Sequence, residues 1–432
     1  MPEALIESLD HEGRGVAHVN EKVIFIEGAL SGERVEYTSY QHKRRYEQAQ
    51  ATIILSESSQ RVVPRCPYFG VCGGCSMQHL SISAQQAAKQ RVLEDALWHL
   101  AKLKPDVFYP PISGPAWGYR YRARLSVWQL AEAGGVLLGF REKRSSFVAK
   151  MDSCEVLPRE ISALLPELKT LIERLSTTNG VPQIELAIGE GQKALVLRHL
   201  APLTASDEQQ LREFADRHSI VWYLQPAGPA SVHLFHPIDV PPLAYSLPEF
   251  GLTLRFSPTD FTQVNYGVNR LLVRRAMNLL DPHPGERIAD MFCGLGNFTL
   301  PIARLGANVV GIEGSKALVA RARSNAMLNE LAEITEFAVA NLFDTTPESL
   351  AMLGRFDKML IDPPRDGAVA LMQALDDHAP RRIVYVSCKP STLARDAAIL
   401  VHEKGYRLRG AGIANMFPHT SHIESIAMFE RE

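Results

Sequence analysis

Alternation of apolar and polar positions with period two marks five short runs in the first sixty residues, at 4–9, 15–19, 23–26, 33–40 and 47–55. The turns EGRG, NEK and SGER separate them. Five such strands in so short a stretch predict a small OB-like barrel. Residues 83–103 change to helical spacing, with Val92, Leu93, Leu97 and Leu100 on one stripe. GYRYRARLSVWQL returns to period two, with Arg120, Arg122 and Arg124 on one face and Tyr119, Tyr121, Leu125 and Val127 on the other. Strands at 184–188, 194–199 and 220–224 and a helix near 207–218 complete an α+β middle segment. From about Arg255 the pattern alternates between the two periods. Strands fall at 287–291, 308–312, 336–340, 356–361 and 382–386, helices at 298–305, 315–331 and 391–404, and two last strands between 406 and 428. That order predicts an α/β domain, a doubly wound parallel sheet with a terminal hairpin. The expected domains are 1–57, 58–254 and 255–432.

Composition narrows the class. The 432 residues are 46% hydrophobic and 22% charged, as in folded proteins, and are enough for several cores. The formal charge of −2 excludes a disordered polyelectrolyte and a globally basic, histone-like chain. It leaves nucleic acid open, because local patches bind phosphate. Residues 117–150 hold seven basic residues against Glu132 and Glu142, a net charge of +5, so the three-arginine face is an expected RNA surface. The plainer reading of that face is a solvated strand. The barrel segment warns against overreading, with six basic residues against ten acids. The first fifteen residues lack the apolar core of a secretory signal, and the longest uncharged run, 218–238, carries three prolines and two internal histidines. A cytoplasmic protein without a membrane span is expected.

Six cysteines sharpen the picture. Cys66, Cys72 and Cys75 lie in RCPYFGVCGGC, which in a reducing compartment points to a metal site or cluster rather than disulfides. Four further motifs sit at strand ends of the last domain. In ADMFCGLGNF, Gly294 and Gly296 permit a sharp turn beside a ligand, and Glu313 ends the next strand, where an acid accepts hydrogen bonds from ribose hydroxyls. The full G-x-G-x-x-G is missing, which favours a ligand without phosphates. LIDPPRDG holds Asp362 in a turn stiffened by two prolines. YVSCKPSTLARD places Cys388 beyond a strand, beside Lys389 and before a helix, a setting expected to lower the thiol pKa and make a nucleophile. A lone cysteine is more commonly structural, but the strand end argues against that here. FPHTSHIESIAMF puts Glu424 in an apolar strand, where a carboxylate is costly without a task; a general base is one. His419 and His422 read as structural or substrate hydrogen-bonding groups.

In this order, ADMFCGLGNF, Glu313, DPPR, SCKPSTLARD and HIES resemble the RNA uracil-5-methyltransferase family, and the resemblance spans the chain. It implies a Rossmann-like class I methyltransferase domain, an N-terminal TRAM barrel and a central domain carrying an iron–sulfur cluster. Cys66, Cys72, Cys75 and Cys154 would ligate one [4Fe–4S] cluster, with Zn²⁺ as the alternative. Contacts to S-adenosylmethionine would fall on Gln263, Phe292, Asn297, Glu313, Asn341 and Asp362. Cys388 would be the nucleophile and Glu424 the base. Members with both barrel and cluster act on bacterial 23S rRNA, at uridine 1939, whereas relatives acting on tRNA are expected to lack both. No obligate protein partner is implied, and a monomer is expected. Two rivals differ in class. An amino-methyltransferase shares the DPPR turn but needs no nucleophilic cysteine. A non-catalytic RNA-binding protein leaves Cys388 and Glu424 unexplained.

Overall fold

The computed structural model describes residues 1–130, 135–177 and 180–431. Glu132, counted above in the basic window, lies outside them. Among the described residues no helix is long and apolar enough to cross a membrane.

The N-terminal sheet runs Glu3–Leu5, Arg34–His42, Tyr46–Ser56, Lys22–Glu27, Gly15–Val19 and Ser8–Leu9. The run expected at 4–9 is one interrupted strand. Its first piece pairs with Arg34–His42 and its second with Gly15–Val19, which closes the sheet on itself. The inward period-two positions, including Ile24, Ile26, Val35 and Tyr37, fill the barrel. Glu33 has no exposed surface and is answered at 2.5 Å by Arg61 from the loop that follows, which fixes that loop to the barrel.

The central sheet orders as His233–His236, Val221–Gln225, Lys193–Arg198, Gln183–Ile188, Arg122–Gln129 and Val136–Gly139. Helices Arg159–Arg174 and Ala205–His218 supply much of its core. The strand expected from 118 starts only at Arg122, and the expected three-arginine face does not form. Arg122 donates to the carbonyls of Pro258 and Asp260, and Arg124 pairs with Glu185 at 2.9 Å. Arg120 precedes the strand and turns toward two cavities. Regular alternation needs strand backbone, and here the Arg120 and Tyr121 N–H groups donate instead to the Val156 and Val264 carbonyls.

The third sheet runs Thr335–Val339, Asn308–Glu313, Arg287–Met291, Lys358–Ile361, Arg382–Ser387, Glu424–Glu430, Arg407–Ala414 and Val107–Phe108. The first five strands are parallel. The expected hairpin is present, but its second strand inserts between Arg382–Ser387 and Arg407–Ala414, antiparallel to both. The order reverses at Arg287–Met291, and the crevice at such a switch point is where open α/β sheets bind ligands. Two elements come from the middle segment. Helix Ile82–Ala101 is capped by Ser81 and buries Leu93 and Leu97 in the same cluster as helix Pro390–His402, while Val107–Phe108 extends the sheet edge. Helix Tyr266–Leu280, capped by Asn265, answers to no element read from the sequence.

Candidate active site

A cavity of about 630 Å³ opens at the carboxyl ends of the parallel strands. The chain leaves Arg287–Met291 through Phe292, Gly294 and Gly296, all at positive φ (64°, 56° and 100°). Glycine adopts this region freely. Phe292 does so at a cost typical of functional sites, and its ring faces Phe343 at 5.7 Å across one side of the cavity. Glu313, at the end of the neighbouring strand, accepts the Gly294 N–H at 3.2 Å and the Ser315 N–H at 2.9 Å, which pins its carboxylate against the glycine turn. Asn297 lines the same wall, but its side chain is engaged by Tyr245 (2.8 Å) and Asn269 (2.9 Å), leaving chiefly its backbone for a ligand. Asn341 accepts the Phe343 N–H and donates to Asp344.

Gln263, Asp362, Cys388 and Glu424 line this cavity as well. Ser387 pairs with Ser425 in the antiparallel ladder, so Cys388 and Glu424 are the next opposed positions. Opposed residues have Cα atoms about 4.5–5.5 Å apart. Register thus sets the thiol facing the carboxyl. Glu424 is only 3% exposed, and burial together with the Asp362 charge holds its carboxyl far above the usual range. Burial raises Asp362 as well. The Cys388 thiol is pushed up to about 11 by burial, then by Glu424 and Asp362, with Arg365 opposing. The sequence expectation of a lowered thiol pKa therefore fails for the ligand-free protein. Two buried carboxyls and desolvation outweigh the cation and helix terminus.

The structure brings all eight residues expected at the catalytic and cofactor site to one cavity. Its wall also includes Phe261, Arg365 and Phe417, which the sequence reading does not name as site residues, and Arg120, which it assigns to an RNA-binding strand face instead. Arg365 lies inside the motif DPPR and Phe261 two residues before Gln263, and those positions are the available signal. His422 lines the cavity and accepts from Arg365 Nη2 at 3.2 Å, whereas His419 is buried, stacked on Trp117 at 3.7 Å, and pushed down to about 4 by that burial.

Cys66, Cys72, Cys75 and Cys154 line a second cavity of about 180 Å³, and none is in a disulfide. Arg120 and His422 border both cavities. Burial, followed among other causes by the neighbouring thiols, pushes Cys75 up to about 11 and Cys154 to about 12. Among the described residues no three His, Cys, Asp or Glu side chains converge closely enough to hold one metal ion. A third, open groove of about 690 Å³ lies between barrel and central domain, with Arg14, Arg141, Lys143 and Arg144 on its walls and Ser421 at one edge. Arg144 pairs with Glu27 at 3.0 Å and lies over the Tyr40 ring at 4.0 Å, clamping the barrel to this loop.

Comparison with known proteins agrees with this geometry. A family model described as tRNA (Uracil-5-)-methyltransferase matches residues 246–432, and the TRAM domain model matches residues 2–37. The chain is 62% identical over all 432 residues, covering 100% of both chains, to the 23S rRNA (uracil(1939)-C(5))-methyltransferase RlmD of Aromatoleum aromaticum. It is 59% identical, again over 100% of both chains, to the protein of the same name in Dechloromonas aromatica. The crystal structure of Pyrococcus abyssi tRNA (uracil-54, C5)-methyltransferase with S-adenosyl-L-homocysteine shares the fold, with a TM-score of 0.76 at 23% identity, covering 99% of this chain and 100% of that one. Because that alignment includes the barrel, the expectation that relatives acting on tRNA lack it does not hold. Matched from end to end by curated relatives at this identity, the chain belongs to the RNA uracil-5-methyltransferase family.

Proposed function

We propose that this enzyme transfers the methyl group of S-adenosylmethionine to C5 of a uridine in 23S rRNA, the position numbered 1939 in its relatives, through a covalent adduct on Cys388. The observation that carries the mechanism is the opposition of Cys388 and Glu424 across one ladder, in the cavity that also holds the glycine turn and Glu313. Uracil C5 is a poor nucleophile. Addition of the Cys388 thiolate to C6 makes C5 electron-rich. S-adenosylmethionine, when bound, supplies the electrophilic methyl. Glu424 as carboxylate then removes the C5 proton, the C5–C6 double bond re-forms, and the C6–S bond breaks to return the thiolate. A base attacked on its face must leave its stack, so the uridine enters flipped. The exposed Phe261 ring at the rim offers a stacking surface for it. Glu313 is suited to the ribose hydroxyls, Phe292 and Asn341 to the adenine end, and Gln263 and Asp362 to the reacting end. Asn297 contributes backbone. A cation arriving near Asp362 and Glu424 favours their ionised forms and that of Cys388, so cofactor binding itself arms the site.

In the same reading, Cys66, Cys72, Cys75 and Cys154 hold a [4Fe–4S] cluster. Four free thiols, two buried and two half-buried, line one cavity, a donor set that fits a [4Fe–4S] cluster, with Zn²⁺ as the alternative. When present, it offsets the charge of four thiolates and joins residue 154 to the 66–75 loop. With a fourth cysteine available as a ligand, the cluster would serve a structural or RNA-positioning role rather than a redox one. The groove carries Arg141 and Lys143 beside Glu12, Glu27 and Glu142, and those two cations are the candidate contacts for RNA backbone there. Action on rRNA supports a cytoplasmic location.

The test is tritium release from 23S rRNA labelled at uracil C5, with the wild type and Cys388→Ala. Release by the wild type alone is expected. Methyl uptake without release sinks the proposal and points to a nitrogen or ribose target.

A further inference from the structure

Residues 415–422 link strand Arg407–Ala414 to Glu424 and have no regular structure, yet Asn415, Met416, His419 and Thr420 are each at most 4% exposed. A buried irregular segment must find partners for its backbone; some lie within it, as where Thr420 donates to the Phe417 carbonyl, and others come from outside the catalytic domain's own motifs. From helix Ile82–Ala101, Lys89 Nζ donates to Asn415 Oδ1 at 2.8 Å and to the Phe417 carbonyl at 2.9 Å. One turn earlier, Gln85 accepts the His419 N–H at 2.8 Å while its amide donates to the Met77 and Leu80 carbonyls. From the cysteine-rich loop, the Ser76 and Met77 N–H groups both donate to the His419 carbonyl, at 2.9 and 3.0 Å. Tyr119 closes the ring by donating to the Pro418 carbonyl at 2.9 Å.

Lys89 is 2% exposed and Gln85 fully buried. Among the described residues Lys89 has no carboxylate within ion-pair distance, so its ammonium serves two neutral oxygens of this one segment. Burying an ammonium costs several kcal/mol unless it is well bonded. Packing alone is met by an apolar side chain.

We propose that Gln85 and Lys89 are positioning residues for the proton-removal step. Together with Ser76 and Met77 they fix how far Glu424 and His422 reach into the cavity, and through Cys75 they couple that reach to the cysteine-rich loop. This inference rests on Glu424 being the base. Cys388 follows strand Arg382–Ser387 and lies outside the segment that the clamp holds, so loosening the clamp spares addition and methyl transfer. It slows only the last step, in which the C5 proton passes to Glu424, the double bond re-forms and the C6–S bond breaks.

The experiment uses Lys89→Met in the full-length protein with its cysteine site loaded, a 23S rRNA fragment and S-adenosylmethionine. Turnover is expected to fall roughly 10- to 100-fold. RNA affinity and the rate of adduct formation stay within about threefold, and methylated adduct accumulates on a denaturing gel. Proportional loss of turnover and adduct, or unchanged turnover, overturns the inference. Tyr119→Phe, which removes one hydroxyl and little volume, should show the same partition more weakly and decides the matter if Lys89→Met folds poorly. Glu424→Gln separates the two layers. If that variant accumulates no adduct, the base assignment fails and the inference falls with it. If it does while Lys89→Met and Tyr119→Phe do not, positioning alone is wrong.

Discussion

Cys388 is the strongest place to test the electrostatics of the cavity. Its thiol is pushed up to about 11 in the ligand-free protein. An ordinary cysteine titrates near 8.5–9, so at pH 8 the thiolate fraction is reduced roughly 100-fold. The perturbation is a cation. A unit positive charge roughly 6 Å from the sulfur, at an effective dielectric of about 20, favours the thiolate by about 2–3 kcal/mol, or about two pKa units. The assay is alkylation of Cys388 by a small neutral reagent between pH 7 and 10, with the labelled peptide identified by mass spectrometry. Without ligand the rate should climb about tenfold per pH unit with no plateau below pH 10. A cationic, non-transferring analogue of S-adenosylmethionine should raise the rate at pH 8 by up to roughly 100-fold, whereas S-adenosylhomocysteine, of similar shape but neutral at sulfur, should not. The paired ligands cancel steric shielding. Glu424→Gln should match the wild type at low pH, where that carboxyl is protonated, and react faster at high pH, where it is not. A ligand-free plateau near pH 9 would refute the burial argument. Equal effects of the two ligands would place Cys388 outside the field of the transferring methyl.

Two further outcomes are expected. Glu313→Gln keeps the shape but loses the charge that accepts the Gly294 and Ser315 N–H groups, so calorimetry should show S-adenosylmethionine binding weakened roughly 10- to 100-fold, with the melting temperature little changed. Cys154→Ser should abolish visible iron–sulfur absorbance in the purified protein and lower turnover with it; retention of one equivalent of zinc and no iron in the wild type would replace the cluster reading.

The chemistry was legible because each reactive residue stands where a short local pattern ends. The glycine turn, Glu313, Asp362 and Cys388 all follow apolar runs that read as parallel strands, and strand ends of such sheets face the ligand crevice. Helix Pro390–His402 and the hairpin strands were visible for the same reason. Helix Tyr266–Leu280 is not among the elements expected from the sequence, although Val268, Leu272, Val273, Ala276 and Leu280 repeat at helical spacing and are buried.

What the sequence determined by itself is therefore the list of elements and the residues at their ends, since hydrophobic period and turn chemistry are set by neighbours along the chain. Tertiary structure decided what those residues meet. Insertion of Glu424–Glu430 between two strands is what opposes Glu424 to Cys388, and a hairpin pattern carries no information about where it inserts. Cys154 joins Cys66–Cys75 across almost eighty residues. Arg120, Arg122 and Arg124 share a period but not a fate, because their partners belong to other segments. The Cys388 thiol is raised rather than lowered because desolvation and like charge act through space, while the cation beside it in sequence acts only if it also lies beside it in the fold.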